Sequence, residues 1–323
     1  MQVLTITYHV ARVCVTTASS GLILEIDRQR RHREYRVWYM RIISPWLLSN
    51  AIFSLTSLKT RHDTAMRGVQ AFATQVILEK LEERDTNNNA DCGETQDDGE
   101  EDAALERVTC QLRDEVVTIM VGGQETTACE NSFAILMLAL HQDVQRKVTT
   151  ELAEIFGSDC RPPSYDDLQR MAYLECVIKE TMRLFPALPK VLYRRMPTRL
   201  IWKHVRLFSG CTVVAFIYSL HRDPRYFPEP NRFWPERFLP ENSGNRHPYS
   251  YIPFAAGARN CIGQKYAMLQ MKTILSTMLR EFRILPSQNM PNMDSIRLLM
   301  TSTLRSKTGC WVRLQPRSSS SSA

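Results

Sequence analysis

The chain has 323 residues, 44% of them hydrophobic, a length that can bury a substantial core as one large or two modest domains. Its nine cysteines form no CxxC pair and no close Cys/His cluster, which argues against structural zinc; the odd count and the lack of a signal peptide point to free thiols in a reducing compartment. The formal charge of +7 is scattered, with short runs at Arg28–Arg33 and Arg199–Arg206 but no basic patch with interleaved aromatics, so nucleic acid is not an expected partner.

Residues 1–21 carry no charged leader and no processing signature, and residues 22–42 alternate charged and apolar side chains in a helix-compatible way. After a turn around Pro45, the spacing of Ala65, Val69, Phe72, Val76 and Leu81 predicts a long helix over 64–83. Residues 84–104 are polar, and positions 91–106 hold eight acidic residues and no lysine or arginine, which predicts a disordered, solvated acidic loop. Periodicity returns at Leu105 and predicts one long helix, or two close ones, to Leu140. Its longest apolar stretch, FAILMLALH, is too short to cross a membrane and reads as buried helix. An amphipathic helix follows to Phe156, then a turn at Pro162 and Pro163, a cap at Ser164 backed by Asp166 and Asp167, and a helix running on to Pro186. Short β-like pieces lie in KVLYRR and HVRLFSGCTVVAFIY. A proline- and aromatic-rich structured loop follows, then a long helix after Cys261 to about Phe282, a tail with hairpin-like alternation and a frayed end at 317–323. The expected class is mainly α with a small β component, without internal repeats.

Four constellations stand out. Glu180 and Arg183, three apart, share a helix face, and the apolar residues of that helix imply that the pair is partly buried. Arg237, between Pro235 and Phe238, is a candidate third member. In VGGQETTACE, Gly122 and Gly123 each cost roughly 1 kcal/mol against alanine in a helix interior. Either they admit a flat ligand close to the backbone or they pack two crossing helices. Glu125 and Thr126 follow them, an acid and an alcohol suited to relaying protons beside an apolar cavity. In FAAGARNCIG, Phe254, Gly257, Arg259, Cys261 and Gly263 describe a tight loop that presents one sulfur at the start of a helix, with Arg259 able to meet an anionic group. Finally, Pro186 and Pro189 hold an extended segment in which Leu188, Val191 and Leu192 either wall an apolar pocket or serve as a plain connector.

These motifs, in this order over residues 105–317, resemble the cytochrome P-450 family of haem-thiolate monooxygenases, and are most similar to its family-4 branch. PFAAGARNCIGQKYAMLQMK is similar to the cysteine-ligand loop and its helix, KETMR to the Glu-x-x-Arg helix, FWPERF to the arginine loop and GGQETT to the oxygen-activation segment. The resemblance implies a cytochrome P-450 fold, incomplete at the N-terminus, with residues 1–323 forming the C-terminal part of a single domain. It implies haem (iron protoporphyrin IX) with Cys261 as axial iron ligand and Arg259 on a propionate. Phe254, Gly257 and Gly263 would shape the thiolate loop, Gly122 and Gly123 would lie at the cofactor, and His221 would contact its edge. It further implies proton delivery by Glu125 and Thr126, a buried Glu180–Arg183–Arg237 triad, and substrate contacts at Leu188, Val191 and Leu192. The implied partners are NADPH-cytochrome P-450 reductase, cytochrome b5, a lipophilic small molecule and a membrane surface, at the cytosolic face of the endoplasmic reticulum. Complete family members are longer at the front, so the resemblance also raises the alternative of a truncated, inactive haem-binding or interaction protein. Gly122 stands where many family-4 members carry a glutamate that esterifies a haem methyl, so covalent haem attachment is not expected. Gln124 stands where many have histidine.

Overall fold

A computed structural model describes residues 40, 44–87, 99–195, 198–202, 205–244, 246–301 and 303–317. The described residues divide into two compact units, those up to Gln124 in one and those from Glu125 onward in the other. Among the described residues no helix is long and apolar enough to cross a membrane.

The described part of the first unit is helical. A 3-10 turn at Pro45–Leu48 leads to α1 (Asn50–Ser54) and α2 (Ser57–Asn87). Leu47, Phe53, Ala73 and Ile77 are its buried apolar residues. α2 starts before and ends after the span its apolar spacing predicts, because the flanking KTRH and EERDTN segments contain no proline or glycine to stop it. The expectation of a loop over 84–104 is corrected at both ends. Residues 84–87 belong to α2, and α3 (Gly99–Leu140) begins inside the acidic run, where alanine, leucine and glutamate are good helix formers. Residues 88–98 lie outside the described residues, as do 318–323 of the frayed tail.

The second unit takes the end of α3 from Glu125 onward. Residues Phe133–Ala139 are buried all round, as an uninterrupted apolar run requires. His141 breaks the helix, and α4 (Gln142–Phe156) buries Val144, Val148, Leu152 and Phe156 on one stripe. Gln145 ties α4 to strand β5 (Phe282–Pro286): its amide donates to the carbonyls of Leu138 and Ile284, and its oxygen accepts the Ile284 N–H at 3.1 Å. Ser164 caps α5 (Tyr165–Arg170) in a reciprocal capping box with Asp167. The expected single helix from there to Pro186 is two helices, because Met171 leaves the helical region before α6 (Ala172–Leu184). Glu151 of α4 makes that break affordable by accepting the free N–H groups of Tyr173 (2.6 Å) and Leu174 (2.9 Å) at the start of α6.

Four antiparallel pairs supply the β component. β1 (Val191–Arg195) pairs with β4 (Thr212–Ala215), and β2 (Leu200–Trp202) with β3 (Val205–Leu207). β6 (Leu298–Met300) pairs with β7 (Leu304–Ser306) as a hairpin. β8 (Val312–Pro316) pairs with β5, Phe282 opposite Pro316, so the end of the tail joins a strand some thirty residues earlier rather than its neighbour. Short helices α7 (Ile217–Leu220) and α8 (Pro240–Ser243) flank the proline-rich loop, and α9 (Gln264–Glu281) buries Met271, Ile274, Leu275 and Leu279 in the same core as α4 and α6.

Candidate functional site

The cysteine loop is a backbone construction. The Cys261 N–H donates to the Phe254 carbonyl at 2.9 Å, the Asn260 N–H to Gly257 at 3.0 Å and the Ala255 N–H to Ile252 at 3.0 Å. Two residues turn the chain through the left-handed region, Ala255 at φ 62° and Gly257 at φ 86°. Phe254 is half-buried and packs on the core, which anchors one end of the loop. Cys261 and Arg259 are exposed. The helix opens later than expected: α9 begins at Gln264 with Gly263 as its cap, so the sulfur stands three residues ahead of the first turn. A Cβ on Gly263 would meet only the Cys261 sulfur, at 3.8 Å, so the glycine keeps the flank of that sulfur bare.

Gly122 and Gly123 lie within α3 and are exposed, and a Cβ added to either would meet nothing within 4 Å. Among the described residues, then, no neighbouring helix packs on either glycine. Opposite stability effects are expected from two alanine substitutions. Gly123→Ala should raise the unfolding free energy by about 1 kcal/mol through helix propensity. Gly257→Ala should lower it by about 1–2 kcal/mol, because alanine is strained at that φ although it has space. Urea denaturation of the two variants checks both signs.

Glu125 is held. Its Oε1 accepts the Thr303 hydroxyl at 2.8 Å and is ion-paired with Arg305, both from the β6–β7 hairpin, and Arg305 Nε also donates to Thr303 Oγ1 at 3.2 Å. Thr126 is half-buried beside it. One turn further along α3, Glu130 is 7% exposed; its Oε1 accepts the Ala187 N–H at 2.6 Å, while Oε2 and both amide atoms of buried Asn131 have no partner among the described residues. Burial pushes the Glu130 carboxyl up to about 8 and the Cys129 thiol up to about 12.

Glu180, Arg183 and Arg237 meet in the interior. Both oxygens of Glu180 accept from Arg183, at 2.7 and 2.9 Å; Oε1 also accepts from Arg237 Nε at 3.1 Å and from the Trp234 N–H at 2.8 Å. The remaining guanidinium donors go to loop carbonyls: Arg183 to His221, Pro230 and Arg232, Arg237 to Pro228 and Glu229. All three side chains are 2% exposed or less. His221 belongs to this cluster. Its ring is buried, Nε2 accepts the Ile252 N–H at 3.0 Å, and burial holds its pKa down to about 3, so it braces the interior next to the triad. Leu188 is half-buried, and the backbones of Val191 and Leu192 lie in β1; their side chains fall outside the described residues.

A family model for cytochrome P450 matches residues 25–308. The chain belongs to the cytochrome P450 family. This P450 chain is 37% identical to cytochrome P450 4V2 of Homo sapiens over 303 residues, which cover 88% of the chain and 57% of that protein. It is 36% identical to cytochrome P450 4V2 of Mus musculus (86% and 55% covered) and 37% identical to cytochrome P450 4c3 of Drosophila melanogaster (84% and 54%). The chain thus spans about half the length of the curated relatives it matches.

Within this P450 chain the structure brings Glu180, Arg183 and Arg237 into contact and places Glu125 against a hairpin that the sequence did not connect with it. Sequence reasoning missed Glu130, Thr303 and Arg305. The available signal for Glu130 is one acid at the head of the apolar run that starts at Phe133, ACENSFAIL. Nothing comparable marks Arg305, whose partner lies 180 residues earlier.

Proposed function

We propose that this chain is part of a haem-dependent monooxygenase that hydroxylates a lipophilic substrate with dioxygen and electrons from an NADPH-dependent reductase. The observation that carries the reading is the Cys261 loop, a bare exposed thiol on a backbone pinned by hydrogen bonds and by Gly257 in the left-handed region. Among the described residues no group of three or more His, Cys, Asp or Glu side chains could hold a metal ion, so a single thiol suits an iron whose other ligands come with a macrocycle.

In this reading Cys261 would hold the haem iron through its sulfur and Arg259 would meet a propionate, with Phe254, Gly257 and Gly263 fixing the loop. Gly122 and Gly123 leave the α3 backbone open to a flat group. Bound haem supplies dioxygen activation and oxygen insertion. Glu125 and Thr126 would hold and pass protons, with Oε1 of Glu125 held by Arg305 and Thr303 and its second oxygen left to do so. The lipophilic substrate meets Leu188 and the β1 segment carrying Val191 and Leu192, and Gly122 offers no carboxylate for a covalent haem link. The electron donors are NADPH-cytochrome P-450 reductase and cytochrome b5 at the endoplasmic reticulum membrane.

Reconstitution with haem, reductase and NADPH against fatty acids and terpenoids tests the reading. Hydroxylated product is expected, and Glu125→Gln and Thr126→Val should each lower the yield of product per NADPH by about 100-fold, the scale of general acid–base catalysis. Haem uptake without product from any of these substrates would instead mark a binding protein.

A further inference from the structure

Glu130 has no role in the proposal above, yet a carboxyl group buried away from water is costly and needs a reason. Its neighbours on α3 from Phe133 onward are packed as hydrocarbon, so packing alone would have favoured leucine. What Glu130 does is accept a backbone N–H from the segment between α6 and β1. Ala187 is buried and makes no helix or strand hydrogen bond with that N–H, so the donor needs a side-chain acceptor. The carbonyl of the same residue accepts the Leu304 N–H at 2.9 Å. Leu304 opens β7 between Thr303 and Arg305, the two residues that hold Glu125. The connections therefore close a ring: Glu125 to the hairpin, the hairpin to Ala187, Ala187 to Glu130, and Glu130 back to Glu125 along five residues of α3. Glu130, Ala187, Thr303 and Leu304 are all at least nine-tenths buried, so water does not compete for these bonds.

We propose that Glu130 is a positioning residue for Glu125: it docks the Ala187 segment on α3, and through the Ala187 carbonyl it sets the height of the hairpin whose Thr303 and Arg305 orient the Glu125 carboxylate. The consequence for proton delivery rests on the monooxygenase reading; the clasp itself does not. The same segment carries Leu188, so the clasp also fixes one proposed substrate contact relative to the acid.

Hydrogen exchange of the full chain, resolved at Ala187 and Leu304, tests the proposal in the wild type, Glu130→Gln and Glu130→Leu. Glutamine keeps the acceptor oxygen and leucine removes it. Exchange at both amides should rise about 10-fold in the leucine variant and stay within about twofold of wild type in the glutamine variant. In the reconstituted assay the leucine variant should lose product per NADPH as Glu125→Gln does, with glutamine restoring it. Unchanged exchange in the leucine variant, or equal loss in both variants, would overturn the proposal. Should the leucine variant not fold, the glutamine variant still decides: protection within about twofold at Ala187 supports the clasp, and a rise of about 10-fold overturns it. A wild-type chain with intact protection and no product would sink the monooxygenase reading while the exchange comparison still judged the clasp.

Discussion

Glu180→Leu should destabilise the chain by about 3–5 kcal/mol, the cost of leaving buried charge uncompensated. The carboxylate accepts from two guanidinium groups and the Trp234 N–H in a site without solvent. Removing it leaves Arg183 and Arg237 facing each other inside the protein and orphans a backbone donor. Their other hydrogen bonds, to loop carbonyls, cannot neutralise them. Against a net stability of about 5–15 kcal/mol for a domain, that loss takes a large share. The control is Glu229→Gln, which removes an exposed pair with Arg232 and should cost no more than about 0.5 kcal/mol. Urea titration of both variants checks the contrast; a Glu180→Leu cost below about 1 kcal/mol would mean that the triad does not hold the loop to α6.

The second large effect is a dependence of stability on pH that belongs to Glu130. Its carboxyl titrates near 8 in the folded chain against 4.5 when solvated, because burial disfavours the charged form. Between those values the unfolded chain is ionised there and the folded chain is not. The stabilisation is present in full below pH 4.5 and is lost as pH rises through about 8. At 1.36 kcal/mol per unit the change is on the order of 3–5 kcal/mol. Among the described residues the Cys129 thiol and the Tyr251 phenol feel the Glu130 charge, and burial raises both above this window. Glu130→Gln should therefore flatten the slope. The new amide brings donors without acceptors, so the offset at low pH carries its own cost; the difference between pH 5 and pH 9 is the quantity to measure. Parallel pH–stability curves for wild type and Glu130→Gln would refute the assignment.

Much of this arrangement is legible in the sequence because it is local. Three-residue spacing puts Glu180 and Arg183 on one face, Ser164 and Asp167 have the capping-box spacing, and glycine at 257 marks the left-handed turn. What escapes is whatever depends on a partner far along the chain. The break at Met171 follows from Glu151, an acid on a neighbouring helix that looks like any solvated glutamate. The partner of Glu130 is a backbone N–H, which leaves no side-chain signature. β8 pairs with β5 and not with the hairpin beside it, a choice that alternation along one strand cannot express. The start of α3 is hidden because a dense acidic run has the composition of a loop, whereas its alanine and glutamate residues also favour helix.

In the proposed monooxygenase Cys261 binds iron through its sulfur. The direct measurement is the carbon monoxide difference spectrum of the haem-loaded, reduced chain beside that of Cys261→Ser. A thiolate-type band in the wild type, absent in the serine variant, is the predicted result; the same band in both would contradict it.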